Sequence, residues 1–236
     1  MQEWLRILLF HLLTAVEGSA VFLLMIKLFR FSIREWWKEI LFAVLFTSYV
    51  NYHLWHIEFL TGYVYIIQVG MLYLFNWLVL RCNWLHAVIV LCTGFAAYTL
   101  IQVVVLYIFN FMGVFSTEKL DGTQPYTTYV HQLTSAVIGW VVISLLTMRR
   151  IGFTFVTGKK RGLTDRRLWS YIAIFTVGMI IPAVVYFVYL KVGGLSYAMG
   201  FLIAQLCSLS LFIAFAFRSE KQKYLSQRHA YLKGEK

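Results

Sequence analysis

Apolar runs of membrane-crossing length alternate along the chain with short polar segments. They fall near 5–26, 40–57, 62–80, 86–110, 129–148, 168–190 and 195–217. A hydrocarbon core about 30 Å thick needs about 20 apolar helical residues to cross it, so seven transmembrane helices are expected. The runs are continuous rather than alternating, which argues against a β-barrel, the other structure that lipid admits. The pattern predicts an all-α, polytopic membrane protein with a transmembrane domain over 1–217 and a basic tail over 218–236. After Arg218 the tail reads SEKQKYLSQRHAYLKGEK, with no proline and one late glycine. It is expected to prolong the seventh helix into the cytoplasm.

Composition agrees with the pattern. Of 236 residues, 61% are hydrophobic and 13% charged, and the mean hydropathy is +0.73. Soluble domains are nearer half apolar and a quarter charged. The excess apolar surface must face lipid, which excludes a soluble enzyme, a secreted disulfide scaffold and a nucleic-acid-binding domain. The net charge of +11 has a topological explanation. All of the 21 Lys and Arg except Arg6, Lys119 and Lys191 lie in four segments, 27–39, 81–85, 149–167 and 218–236, which the seven spans put on one side. Short loops rich in Lys and Arg stay in the cytoplasm. The N-terminus is therefore expected outside and the C-terminus inside, in a plasma membrane of bacterial type. Trp4 and Trp55 then sit near the outer boundary and Trp36, Trp37, Trp84 and Trp169 near the inner one, as interfacial aromatics do. Gly18-Ser19-Ala20 resembles a signal-peptide cleavage site, but the preceding region is not basic and apolar residues resume at Val21, so the first span is expected to be retained. Cys92 and Cys207 lie within spans and Cys82 at an edge, which predicts no disulfide framework.

Polar residues inside the spans are the candidates for function. Glu17 falls near the bilayer midplane, either protonated or paired with polar groups such as Gln205, Ser208 or Ser210 of the last span. A second set lies in the outer halves of the spans. His53 and His56 share a helix face with Tyr49 and Tyr52 beside it, and His11, Asn51, Gln102, Asn110, His131 and Gln132 fall at similar depth. This set reads as an interfacial polar ring or as an outward-open pocket for a ligand. His53 and His56 supply two metal ligands where a site needs three or four, so no metal and no cofactor is expected. Pro182, in the middle of the sixth span, removes a backbone donor and is a candidate hinge. Residues 149–156 alternate large apolar and small side chains. They are expected to lie extended at the inner interface, before a basic turn whose charges suit anionic lipid headgroups.

Enzyme motifs are weak. Arg81, His86 and Cys92 resemble the Arg, His and Cys of membrane peptidases that process quorum-sensing peptides. In that family His and Cys are seven apart in a glycine-containing motif. Here they are six apart without the glycines, and side chains six apart on a helix do not share a face. No HExxH, Walker loop or GxGxxG is present. The protein is expected not to be an enzyme.

A multi-span module that runs directly into a cytoplasmic helix resembles the membrane part of peptide-sensing histidine kinases of the accessory-gene-regulator type. The resemblance covers residues 1–225 in layout: span count, orientation, short loops and helical exit. Arg228-His229-Ala230-Tyr231 echoes the phosphoacceptor box of those kinases, but Ala230 stands where they have an acid and the later Asn is missing, so no phosphoacceptor role follows. The resemblance implies a sensor module without its kinase. The expected function is a non-enzymatic receptor or sensor that binds an extracytoplasmic small molecule or peptide through Glu17, Tyr49, Tyr52, His53, His56, Gln102 and His131. It would turn on Pro182 and act on a cytoplasmic or membrane protein partner. A substrate-binding component of a transporter and a structural subunit of a membrane complex remain open beside it.

Overall fold

A computed structural model describes residues 2–113, 125–156 and 195–232. The sixth expected span with Pro182 and Trp169, and the basic turn at 159–161, lie outside the described residues. Those described form helices, turns and one extended connection, with no strand among them. The long helices are α1 (Gln2–Leu28), α2 (Ile33–His56), α3 (Val64–Leu74), α4 (Trp84–Phe111), α5 (Pro125–Met148) and α6 (Leu195–Leu232). Four stretches are long and apolar enough to cross a membrane: Trp4–Leu28, Trp84–Phe111, Thr127–Met148 and Leu202–Lys221. The chain is thus a helical membrane protein.

The other expected spans differ in detail. Residues 40–57 fall in α2, whose second half carries Thr47, Ser48, Asn51, Tyr52 and His53 and is less apolar than the four. Helix α2 buries Ile40, Ala43, Val44, Thr47 and Ser48 and turns Leu41, Phe42, Leu45 and Phe46 outward. This is the reverse of a water-soluble surface and suits contact with lipid. Residues 62–80 do not form one helix. A 3-10 turn at Glu58–Tyr63 leads into the 11 residues of α3, and a π turn at Phe75–Val79 ends it. Ile66–Val79 is accordingly a short apolar helix rather than a full crossing by length.

Helix α4 is the centre of the bundle and packs against α1, α5 and α6. Just over half of its apolar window is buried, against a third or less in the other three. Small residues allow the close approach that membrane helices use in place of a hydrophobic driving force. A Cβ on Gly94 would lie 2.9 Å from the Met25 Cα of α1, and one on Gly139 of α5 would lie 3.3 Å from the Ala20 Cβ.

Helices α1 and α5 end in the same way. Phe31 N–H bonds the Ile26 carbonyl at 3.0 Å and Ile151 N–H the Leu146 carbonyl at 3.1 Å. These are Schellman caps, whose left-handed residue is usually glycine. Here it is Arg30 (φ 54°) and Arg150 (φ 51°), at a backbone cost of about 1–2 kcal/mol each. Arg81, between the π turn and α4, has the same conformation (φ 51°).

The connection after α5 then lies extended across this end of the bundle. Phe153 N–H bonds the Leu28 carbonyl at 2.8 Å. Gly152 (φ 153°) fits where a Cβ would meet the Arg30 Cγ and the Lys27 carbonyl at 2.9 Å. Phe153 packs on Phe29 and Phe217, and Phe155 on Phe29 and His86. Glu220 of α6 closes the arrangement, taking N–H bonds from Thr154 (2.9 Å) and Phe155 (2.8 Å) and the Thr154 hydroxyl at 2.5 Å. The segment 151–156 therefore ties α1, α4, α5 and α6 together where all four basic segments of the sequence have their described residues. Beyond it α6 continues without a break to Leu232.

Candidate functional site: a polar layer across three helices

Glu17, Gln102 and His131 come from α1, α4 and α5 and meet inside the bundle. The Gln102 side-chain amide donates to Glu17 Oε1 at 2.6 Å. His131 Nε2 lies 2.9 Å from the Gln102 backbone carbonyl. A carbonyl only accepts, so this nitrogen carries the proton. Tyr98, one turn below Gln102, is 2% exposed. Its ring packs over Gly139 and its hydroxyl lies next to the Glu17 carboxyl, with no partner at strict hydrogen-bond geometry among the described residues. The pairs Glu17–Gln102 and Met25–Gly94 share one antiparallel register between α1 and α4, so the packing of small residues fixes where the carboxyl meets the amide.

The next turn of α4 holds α6. Gln205 donates to the Ala96 carbonyl at 3.0 Å and also to the Thr99 hydroxyl. Gln205 is 4% exposed, so both contacts are inside the bundle. Glu17 is thus paired with Gln102 and not with Gln205, Ser208 or Ser210. The expected link between α1 and the last helix runs through α4, because α4 lies between them. Ser208 is buried and Ser210 exposed.

The α2 set forms a separate group. Tyr52 meets His56 (centroids 4.2 Å apart) and His11 (5.0 Å) at a tilt and His53 (5.5 Å) and Phe10 (5.6 Å) edge-on, and Tyr49 meets His53 edge-on at 4.5 Å. His56 Nδ1 donates to the Tyr52 carbonyl at 2.7 Å. Ser48 donates to the His11 carbonyl at 3.1 Å and so accepts from His11 Nδ1 at 3.2 Å. These bonds join α1 to α2. Tyr49, His53 and His56 are exposed, so the group is an aromatic surface and not an enclosed cavity. Among the described residues no three His, Cys, Asp or Glu come together.

Three participants were not singled out by sequence: Tyr98, Thr99 and Gln205's place on α4. Their signal was helical spacing, since positions 98, 99 and 102 share one stripe of α4. Cys82 is buried outside the membrane-length helices, and burial pushes its thiol up to about 12. His86, of the peptidase-like trio, packs edge-on against Phe155. No family model, curated protein or solved structure matches this chain.

Proposed function

We propose that this chain is a membrane receptor or sensor in which a ligand-induced change at the polar layer is passed by α4 to α6. One observation carries the reading. On adjacent turns of α4, Gln102 binds Glu17 and Thr99 receives Gln205 of α6, the helix that runs on to Leu232. Any rearrangement at Glu17 therefore reaches, within one helical turn, the contact that sets the position of the exit helix. In this reading the contacts have a second arrangement in the ligand-bound state, which is the physical basis on which one site biases another. In the proposed topology seven spans put the N-terminus outside and the tail in the cytoplasm of a bacterial-type plasma membrane. The aromatic group of Tyr49, Tyr52, His53 and His56 then faces the outer side and receives an extracytoplasmic small molecule or peptide. The chain leaves the basic end at Val156, and the seven-span topology needs one crossing within 157–194, where Pro182 would serve as the hinge.

The test uses spin labels at Tyr224 on the exit helix and at Arg149 on the end of α5, in the full chain in nanodiscs. Glu17→Leu, which removes the acceptor of the Gln102 amide, and Gln205→Leu are each expected to change the distance distribution between the labels. Unchanged distributions in both variants would refute the coupling. A transporter component is the second reading, favoured by the buried Tyr98 hydroxyl, which lies beside the Glu17 carboxyl inside the membrane region. Solute or proton flux into proteoliposomes, abolished by Glu17→Gln, would decide for it.

A further inference from the structure

The end of the bundle where α1 and α5 stop carries arginines that the polar layer does not use. We propose that Arg30 and Arg150, flanked by Lys27 and Arg149, form a binding surface for the phosphate of an anionic phospholipid. The proposal rests on the membrane character of the chain and not on the sensor reading.

Both arginines occupy the left-handed position of a helix cap, where glycine is the least costly residue. The backbone gains nothing from arginine there, so its use at both caps points to the side chain. The Arg30 guanidinium donates to the Arg150 carbonyl. That contact draws the two caps together and leaves most of the five-donor fork for an oxyanion. Gly152 makes room for the Arg30 stem, since a Cβ there would lie 2.9 Å from the Arg30 Cγ.

No acid among the described residues pairs with Lys27, Arg30, Arg149 or Arg150. Glu220, which reaches the same connection, is taken up by Thr154 and Phe155. Among the described residues this positive charge therefore has no carboxylate partner. Two helices of membrane-crossing length end here, which puts the patch at the depth of lipid phosphates. Beside it Met148 and Ile151 are 79% and 59% exposed. An apolar flank next to a cationic cap matches an acyl chain below a phosphate, and a free phosphate ion would have no use for it.

The full chain is placed in phosphatidylcholine nanodiscs with and without phosphatidylglycerol. Thermal unfolding and the lipids retained in native mass spectrometry are then measured. The wild type is expected to melt a few degrees higher with phosphatidylglycerol and to retain it over phosphatidylcholine. In Arg30→Gly/Arg150→Gly both changes suit the left-handed backbone, so the fold should persist while the lipid-dependent rise disappears. Arg150→Gly alone keeps the Arg30 contact with the carbonyl and should lose at least half of the rise. It decides the matter if the double variant does not fold. A full rise retained in the glycine variants, or none in the wild type, overturns the proposal. A rise reproduced by inorganic phosphate in phosphatidylcholine discs overturns it too, and assigns the arginines to a free anion.

Discussion

Glu17 is the residue whose chemistry is most visible in sequence, because a carboxyl in the middle of an apolar run must be protonated or paired. Its partner was not visible. Which amide it meets depends on the relative register of α1 and α4, and that is set by Gly94 against Met25, a contact between residues 69 positions apart that composition does not encode. The pairing gives a sharp expectation. Glu17→Gln preserves an acceptor for the Gln102 amide and should change unfolding free energy by less than about 1 kcal/mol, whereas Glu17→Leu leaves that amide without its acceptor and should cost about 1–2 kcal/mol. Unfolding in mixed micelles measures both. Cys82 offers a second test at this scale. With its thiol pushed up to about 12 by burial, it carries almost no thiolate at pH 8, and the thiolate is the reacting species. Maleimide should therefore label Cys82 only after denaturation, and rapid labelling in the folded protein would show that the residue is not buried.

At the scale of elements, the sequence separates those whose length alone defines them from those whose hydrogen-bond spacing matters. Helices α1, α4 and α5 are legible because continuous apolar runs of that length have one structural solution in lipid. The 62–80 run is equally apolar, yet it divides into 3-10, α and π segments, and hydrophobicity carries no information about which carbonyl each N–H chooses. The extended course expected over 149–156 from its alternation of large and small residues begins only at Ile151, because Arg149 and Arg150 belong to the cap of α5. Its anchor was not legible, since Glu220 reads in sequence as one more charge in a polar tail. Because that carboxylate accepts two backbone N–H groups and a hydroxyl, Glu220→Ala should destabilise the protein by about 1–3 kcal/mol. It should also speed hydrogen exchange at the Thr154 and Phe155 amides while exchange in α4 stays slow. Gly94→Val should be worse tolerated than Glu220→Ala in the membrane region. Its Cβ would overlap the Met25 Cγ and also lie 2.9 Å from the Met25 Cα in the backbone of α1, and forced separation of packed helices costs about 1–3 kcal/mol or more.

On the scale of the whole molecule, charge segregation and packing point to the same polarity of the bundle. The ends of α1 and α5, the start of α4 and the exit of α6 converge on one end through Phe153, Phe155, His86 and Glu220. That end holds Arg30, Arg81, Arg149, Arg150 and Arg218. The opposite end, where α2 and α4 stop and α1 begins, shows His56, Phe111 and Met112, and Arg6 is its one basic residue of Lys or Arg type among the described residues. The bias of Lys and Arg toward the cytoplasm then makes a prediction that needs no knowledge of ligand or partner. In a variant whose three native cysteines are replaced by alanine, Met112→Cys should react with a membrane-impermeant thiol reagent applied to intact cells. Arg149→Cys should react only after the membrane is permeabilised. Both positions are exposed at helix ends, so neither result can be attributed to burial, and permeabilised cells should label both equally. The reverse pattern would invert the proposed orientation and place the α6 extension outside the cell, where a cytoplasmic partner could not read it. Labelling of both sites in intact cells would mean that α4 and α5 do not join the two sides of a membrane at all.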